Sequence, residues 1–204
     1  MPARNPDLHG NVPDKSPVAL LLIDVINDME WEDGDKLLKH ALPMAKKIAA
    51  LKKRARQEKI PIIYVNDNFG KWRSDFRKLI RESLRGKTRG APVIRLLKPE
   101  RDDYFVLKPK LSAFFSTPLE LLLTYLDVKT LILTGVAGNM CILHSAMDAY
   151  MRDYNIIIPS DCIASNTLRE NQHAIAEMSK TLKATVLASA KIDFAALKRA
   201  QLPA

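Results

Sequence analysis

Leu131-Ile-Leu-Thr-Gly-Val-Ala-Gly-Asn-Met-Cys-Ile-Leu-His-Ser-Ala-Met-Asp-Ala149 decides the fold. Its first half, Thr130 to Val136, is an apolar run rich in Ile, Leu and Val, the pattern of a strand buried on both faces. Gly135 and Gly138 punctuate a turn, and a helical pattern opens at about Asn139. Cys141 therefore falls in the first turn of a helix, just past the carboxyl end of a strand. Helix N-termini carry unpaired N–H groups and partial positive charge, which favour thiolate over thiol. Open α/β sheets bind ligands at this same edge.

The pattern repeats on either side. Val18–Asp24, Pro61–Asp67, Tyr104–Lys108, Asn155–Asp161 and Ala184–Ala188 read as strands. Between and after them, helical patterns run over about 35–58, 72–84, 118–126, 170–182 and 194–200. Apolar strands alternating with amphipathic helices predict a three-layer α/β fold: a doubly wound sheet of about six mainly parallel strands, helices on both faces. Residues 86–103, rich in Arg and Pro, read as an irregular loop, and residues 1–17 as an extended polar arm before a single domain over 18–204.

The chain has 204 residues, of which 47% are hydrophobic and 27% charged, enough for one sizeable core and ordinary for a globular domain. Its apolar runs are strand-sized, too short to span a membrane, and the N-terminus has no signal-peptide core. Two cysteines, Cys141 and Cys162, fit a reducing cytoplasm better than a disulfide framework. The net charge of +9 raises the question of nucleic acid. Much of the excess is scattered, a denser cluster runs from Lys71 to Arg101, and no recognition motif or interleaved aromatics accompany it. A solvated basic surface that can attract anionic substrates is therefore expected. Neither nucleic acid nor a membrane is an expected partner; a small molecule is.

Several motif matches fail. Gly86-Lys87-Thr88 has Arg81 where a phosphate loop needs its first glycine. No Gly-x-Gly-x-x-Gly follows a strand, so no dinucleotide cofactor is expected. Asp24 lacks the second acid two residues on that a haloacid-dehalogenase-like phosphatase needs, since Ile26 stands there. His9, His40, His144 and His173 have no metal-ligand spacing, and His144 lies over the helix barrel rather than over the thiol.

Three residues converge. Asp24 ends the first strand, Lys108 the third, and Cys141 follows the fourth, so a parallel sheet projects all three from one edge. A carboxylate there can take the thiol proton. An ammonium can stabilise the thiolate and lower the thiol pKa. Backbone N–H groups around Ala137 and Cys141 can hold a developing oxyanion. Asn27, Phe69, Trp72 and Ala137 are the candidate substrate contacts.

At these residues the chain resembles the isochorismatase-like cysteine hydrolases, which include nicotinamidases and N-carbamoyl amidohydrolases. The resemblance rests on Leu22-Ile-Asp-Val-Ile-Asn-Asp28, Lys108-Pro-Lys-Leu-Ser-Ala-Phe114, Gly135-Val-Ala-Gly-Asn-Met-Cys141 with Ser145–Ala149, and Pro159–Ala164. It implies an Asp24–Lys108–Cys141 triad, a six-stranded parallel sheet, a cis peptide before Ala137, and a homodimer or homotetramer. The metal-binding Asp-x-His of nicotinamidases falls at Asp67-Asn68-Phe69, where Phe69 replaces the His, so no metal is expected. Retention of Cys141 favours covalent attack on an amide, carbamoyl or ureido carbonyl. Two alternatives stand beside this: an isochorismatase-type enol-ether hydrolase, and a catalytically silent binding protein of the same fold.

Overall fold

The computed structural model describes residues 15–70, 75–84 and 88–200. Most of the polar arm expected over 1–17, and Trp72, lie outside the described residues. The strands are β1 (Val18–Ile23), β2 (Ile62–Asp67), β3 (Tyr104–Lys108), β4 (Thr130–Val136), β5 (Asn155–Pro159), β6 (Ile163–Ala164) and β7 (Thr185–Leu187). The α-helices are α1 (Gly34–Gln57), α2 (Phe76–Leu84), α3 (Ala91–Leu96), α4 (Leu119–Tyr125), α5 (Leu143–Tyr150), α6 (Leu168–Thr181) and α7 (Phe194–Arg199).

All pairings are parallel, in the order β3-β2-β1-β4-β5-β7, with β6 pairing the end of β4. The apolar β1, Val-Ala-Leu-Leu-Leu-Ile, is buried along its whole length between β2 and β4. Side chains alternate across a strand. Val18, Leu20 and Leu22 accordingly join one core with α1, α2, α3 and α7, while Ala19, Leu21 and Ile23 join a second with α4, α5 and α6. α1 offers its core a stripe at helical spacing: Leu37, Ala41, Met44, Ala45, Ile48, Leu51 and Ala55. Thr167 and Glu170 form a reciprocal capping box at the start of α6. Among the described residues no helix is long and apolar enough to cross a membrane.

Two expectations need correction, and the sheet of about six strands gains a short seventh. The stretch 86–103 contains α3, begun by a proline in its first turn and held by buried Val93 and Ile94. β6, only two residues long, raises the strand count to seven. Cys141 lies in a π-helical turn, Gly138–Ile142, rather than in the first turn of an α-helix. There the N–H groups of Met140 and Ile142 both donate to the Ala137 carbonyl, 3.0 and 3.2 Å away.

Candidate active site

Parallel strands carry their last residues to one edge, and the register fixes which ones meet. Asp67 at the end of β2 lies opposite Lys108 at the end of β3. Asp24 follows β1 directly and takes a left-handed φ of 53°, uncommon for a residue with a side chain and frequent at functional sites. Its N–H donates to the Val65 carbonyl at 2.9 Å, and its Oδ1 accepts from the Asp67 N–H at 2.6 Å. The peptide bond between Val136 and Ala137 is cis, as the resemblance implied.

Lys108 is 0% exposed, and its Nζ is the hub of the site. It lies 2.9 Å from Asp24 Oδ2, 3.4 Å from Cys141 Sγ and 3.5 Å from Asp67 Oδ2, and donates to the Lys110 carbonyl at 3.0 Å. The Asp24 carboxyl is near enough to the Cys141 thiol to raise its pKa. Lys108 therefore contacts both of the other residues read as a triad from strand ends. Asp24, Asp67 and Cys141 line a cavity of about 310 Å³ walled by Trp31, Leu37, Phe69, Leu111 and Met140, with Asn27, Ala137 and Asn166 among its lining, while Lys108 is fully buried. Of the expected substrate contacts, Asn27, Phe69 and Ala137 reach this cavity.

The electrostatics differ from expectation in one respect. Burial and the Asp24 carboxyl push the Cys141 thiol up to about 12, and Lys108 offsets them only in part. The resting group is a thiol rather than the thiolate expected at a helix N-terminus. Burial also raises Asp24 above the usual carboxylate range, against the pull of Lys108, which makes it a better proton acceptor than a surface aspartate. Burial works against the Lys108 charge, but the Asp24 and Asp67 carboxyl groups favour it and keep the ammonium protonated.

His144 turns away: its Nδ1 meets the Met140 carbonyl at 2.8 Å on the exposed side of the helix. Cys162 is fully buried in the core on the other face of the sheet from Cys141, and both thiols are free.

Residues 18–191 match the Isochorismatase domain family. The chain belongs to the isochorismatase family. Among similar members, the uncharacterized isochorismatase family protein YaaI of Bacillus subtilis (strain 168) is 43% identical over 178 residues, covering 87% of this chain and 97% of its own. The probable inactive nicotinamidase At3g16190 of Arabidopsis thaliana is 31% identical over 160 residues, covering 73% and 81%. The solved N-carbamoylsarcosine amidase from Thermoplasma acidophilum superposes with a TM-score of 0.65 at 25% identity, covering 86% of this chain and 98% of that one.

The metal of nicotinamidases, considered for this isochorismatase-family site, does not fit the residues present. Phe69 offers no lone pair at the histidine position, and Asp67 spends Oδ1 on the Phe69 N–H at 2.6 Å while Oδ2 faces Lys108. Among the described residues no three His, Cys, Asp or Glu side chains converge as ligands. Asp67 stands out in the sequence only as the first residue of the Asp-x-His pattern that Phe69 breaks. The strand-end criterion that found Asp24 and Lys108 applies equally to it, since it closes β2 between them.

Proposed function

We propose that the protein is a cysteine hydrolase cleaving a small amide, carbamoyl or ureido C–N bond through a thioester on Cys141. The observation that carries this reading is the Lys108 ammonium within 2.9 Å of a base and 3.4 Å of a thiol on a cavity floor. As Sγ attacks the substrate carbonyl, Asp24 takes its proton, so the thiolate exists only while it forms a bond. Lys108, itself fully buried, holds the carboxyl group in place and offsets developing charge. The N–H groups of Ala137 and Cys141 accommodate the oxyanion. The C–N bond breaks, and the departing nitrogen leaves as an amine with the proton from Asp24. Water then gives Asp24 a proton and attacks the thioester, and the proton returns to the thiol as the acid leaves. Atoms and charge balance without a cofactor. The protein works on this reading as a cytoplasmic homodimer or homotetramer.

Ammonia release from a panel of small amides, carbamoyl and ureido compounds tests the reading, with Cys141→Ala as control. Turnover abolished by Cys141→Ala is the expected result. Turnover that survives this substitution, or cleavage of a vinyl ether in place of every amide, overturns it. A thiol without turnover of any kind returns the protein to the silent class, in which one similar sequence is already named.

A further inference from the structure

The proposed hydrolysis needs only the triad and an oxyanion site, yet the cavity presents an additional group with nothing to bind. Asn27 is 6% exposed and sits in the loop after β1. Its Oδ1 accepts from the Met29 N–H at 2.8 Å, an Asx turn, and since that partner is a donor the amide orientation is fixed. The Nδ2 group must then point the other way, and among the described residues it has no acceptor. No fully enclosed side-chain nitrogen or oxygen there lacks a partner, so this unpaired NH₂ opens into the cavity that Asn27 lines. A second carboxamide, Asn166 from the loop before α6, lies on the same lining.

The rest of the wall sets the company this donor keeps. Trp31, Leu37, Phe69 and Met140 are apolar surfaces. The Lys108 ammonium is already shared between Asp24 and Asp67, so an anionic group finds no uncommitted cation among the described lining residues. Resting on the hydrolase reading above, we infer that the substrate is an uncharged amide on an apolar or aromatic body. It bears a second, uncharged oxygen acceptor, such as a ketone or amide carbonyl, that is read by the NH₂ of Asn27. A site built to hydrogen-bond a group rejects the analogue lacking it more strongly than an apolar wall rejects a change of size, because the donor is then left unpaired.

The test compares benzoylpropanamide with phenylbutanamide, which differ by ketone against methylene, and with succinamate, which carries a carboxylate. The native enzyme should favour the ketone over the methylene compound by at least about tenfold in kcat/KM, with succinamate poorest. Asn27→Asp keeps an acceptor for the Met29 N–H but replaces the NH₂ by oxygen, and should erase the ketone preference. Asn27→Ser, an uncharged variant that also keeps a turn acceptor, guards against a folding failure of the first. The same ligand pair is titrated by calorimetry into Cys141→Ala, with and without the Asn27 change. A ketone preference absent from the native protein, or unmoved by both Asn27 variants, overturns the inference. If no amide is hydrolysed but Cys141→Ala still prefers the ketone through Asn27, the hydrolase reading fails and the binding inference stands.

Discussion

The thiol of Cys141 is kept protonated partly by the carboxyl group proposed to remove its proton, while Lys108 pulls the other way. The two neighbours therefore predict opposite shifts. Asp24→Asn should lower the pH midpoint of Cys141 alkylation by iodoacetamide while stopping hydrolysis, and Lys108→Met should raise that midpoint; shifts of the same sign in both variants contradict the assignment. In the native protein the alkylation rate should climb through the alkaline range toward about 12. Cys162, raised to a similar value but fully buried, should label later than Cys141. Asp24 must be ionised to act, and burial raises its pKa. Hydrolysis should accordingly fall on acidification at a pH above the ordinary carboxylate value, and a pH–rate profile measures where. Lys108→Ala should cost roughly tenfold to a thousandfold in kcat, about 1.4–4 kcal/mol of barrier. Lys110→Ala should cost less, because Lys110 is exposed and serves the site through a carbonyl that alanine retains. Dialysis against EDTA should leave turnover unchanged, since Phe69 cannot ligate; recovery of lost turnover by zinc or manganese would show overlooked ligands.

Strand ends position these side chains, and Gly135 shows how little slack they have. It pairs with Ile23, next to Asp24, at a φ of +119°, and a Cβ there would lie 2.0 Å from the Ile23 carbonyl oxygen. Gly135→Ala should destabilise the fold by about 3 kcal/mol or more, lowering the melting temperature on the order of 10 °C. A calorimetric melt checks this, and an unchanged melting point would mean that β1 and β4 move apart freely. At this scale the sequence was most legible where period and length agreed: β1, β3, β4 and α1 lie within a residue or so of where their apolar patterns put them. It was least legible in short elements. α3 has six residues and β6 two, too few for any period to emerge. The π turn at Gly138–Ile142 differs from an α turn by one residue, which an apolar pattern of that length cannot register. The direction of the thiol's pKa shift is hidden from the sequence for a related reason. The sequence placed a helix end and a lysine beside Cys141, but not the burial or the carboxyl contact that outweigh them.

Across the molecule, each end of the sheet holds a buried cation against carboxyl groups. At the end remote from the site, Lys52 Nζ lies 3.0 Å from Asp103 Oδ2 and 3.0 Å from the Tyr64 hydroxyl, and Arg56 reaches the other Asp103 oxygen at 2.6 Å. The Asp103 side chain is 1% exposed. Removing one partner of a buried pair strands the other, so Asp103→Ala should cost about 3–5 kcal/mol of stability. Its kcat/KM, measured well below the melting temperature, should stay within about twofold of native, since Asp103 precedes β3 and Lys108 ends it. A large loss of activity in a folded variant would show that the two sheet ends are coupled. The site itself is assembled across long stretches of chain: Asp24 meets Asp67 over 43 residues, Asp67 meets Lys108 over 41, and Lys108 meets Cys141 over 33. Each lies at the end of a different strand or just beyond one, and no short peptide contains them all. During synthesis Asp24 and Lys108 emerge well before Cys141, and the proposed triad cannot form until β4 inserts beside β1. On the proposed mechanism a sheet in which β1, β2, β3 and β4 have not all assembled is chemically silent, so the hydrolytic rate of a population counts the molecules in which those four strands have come together.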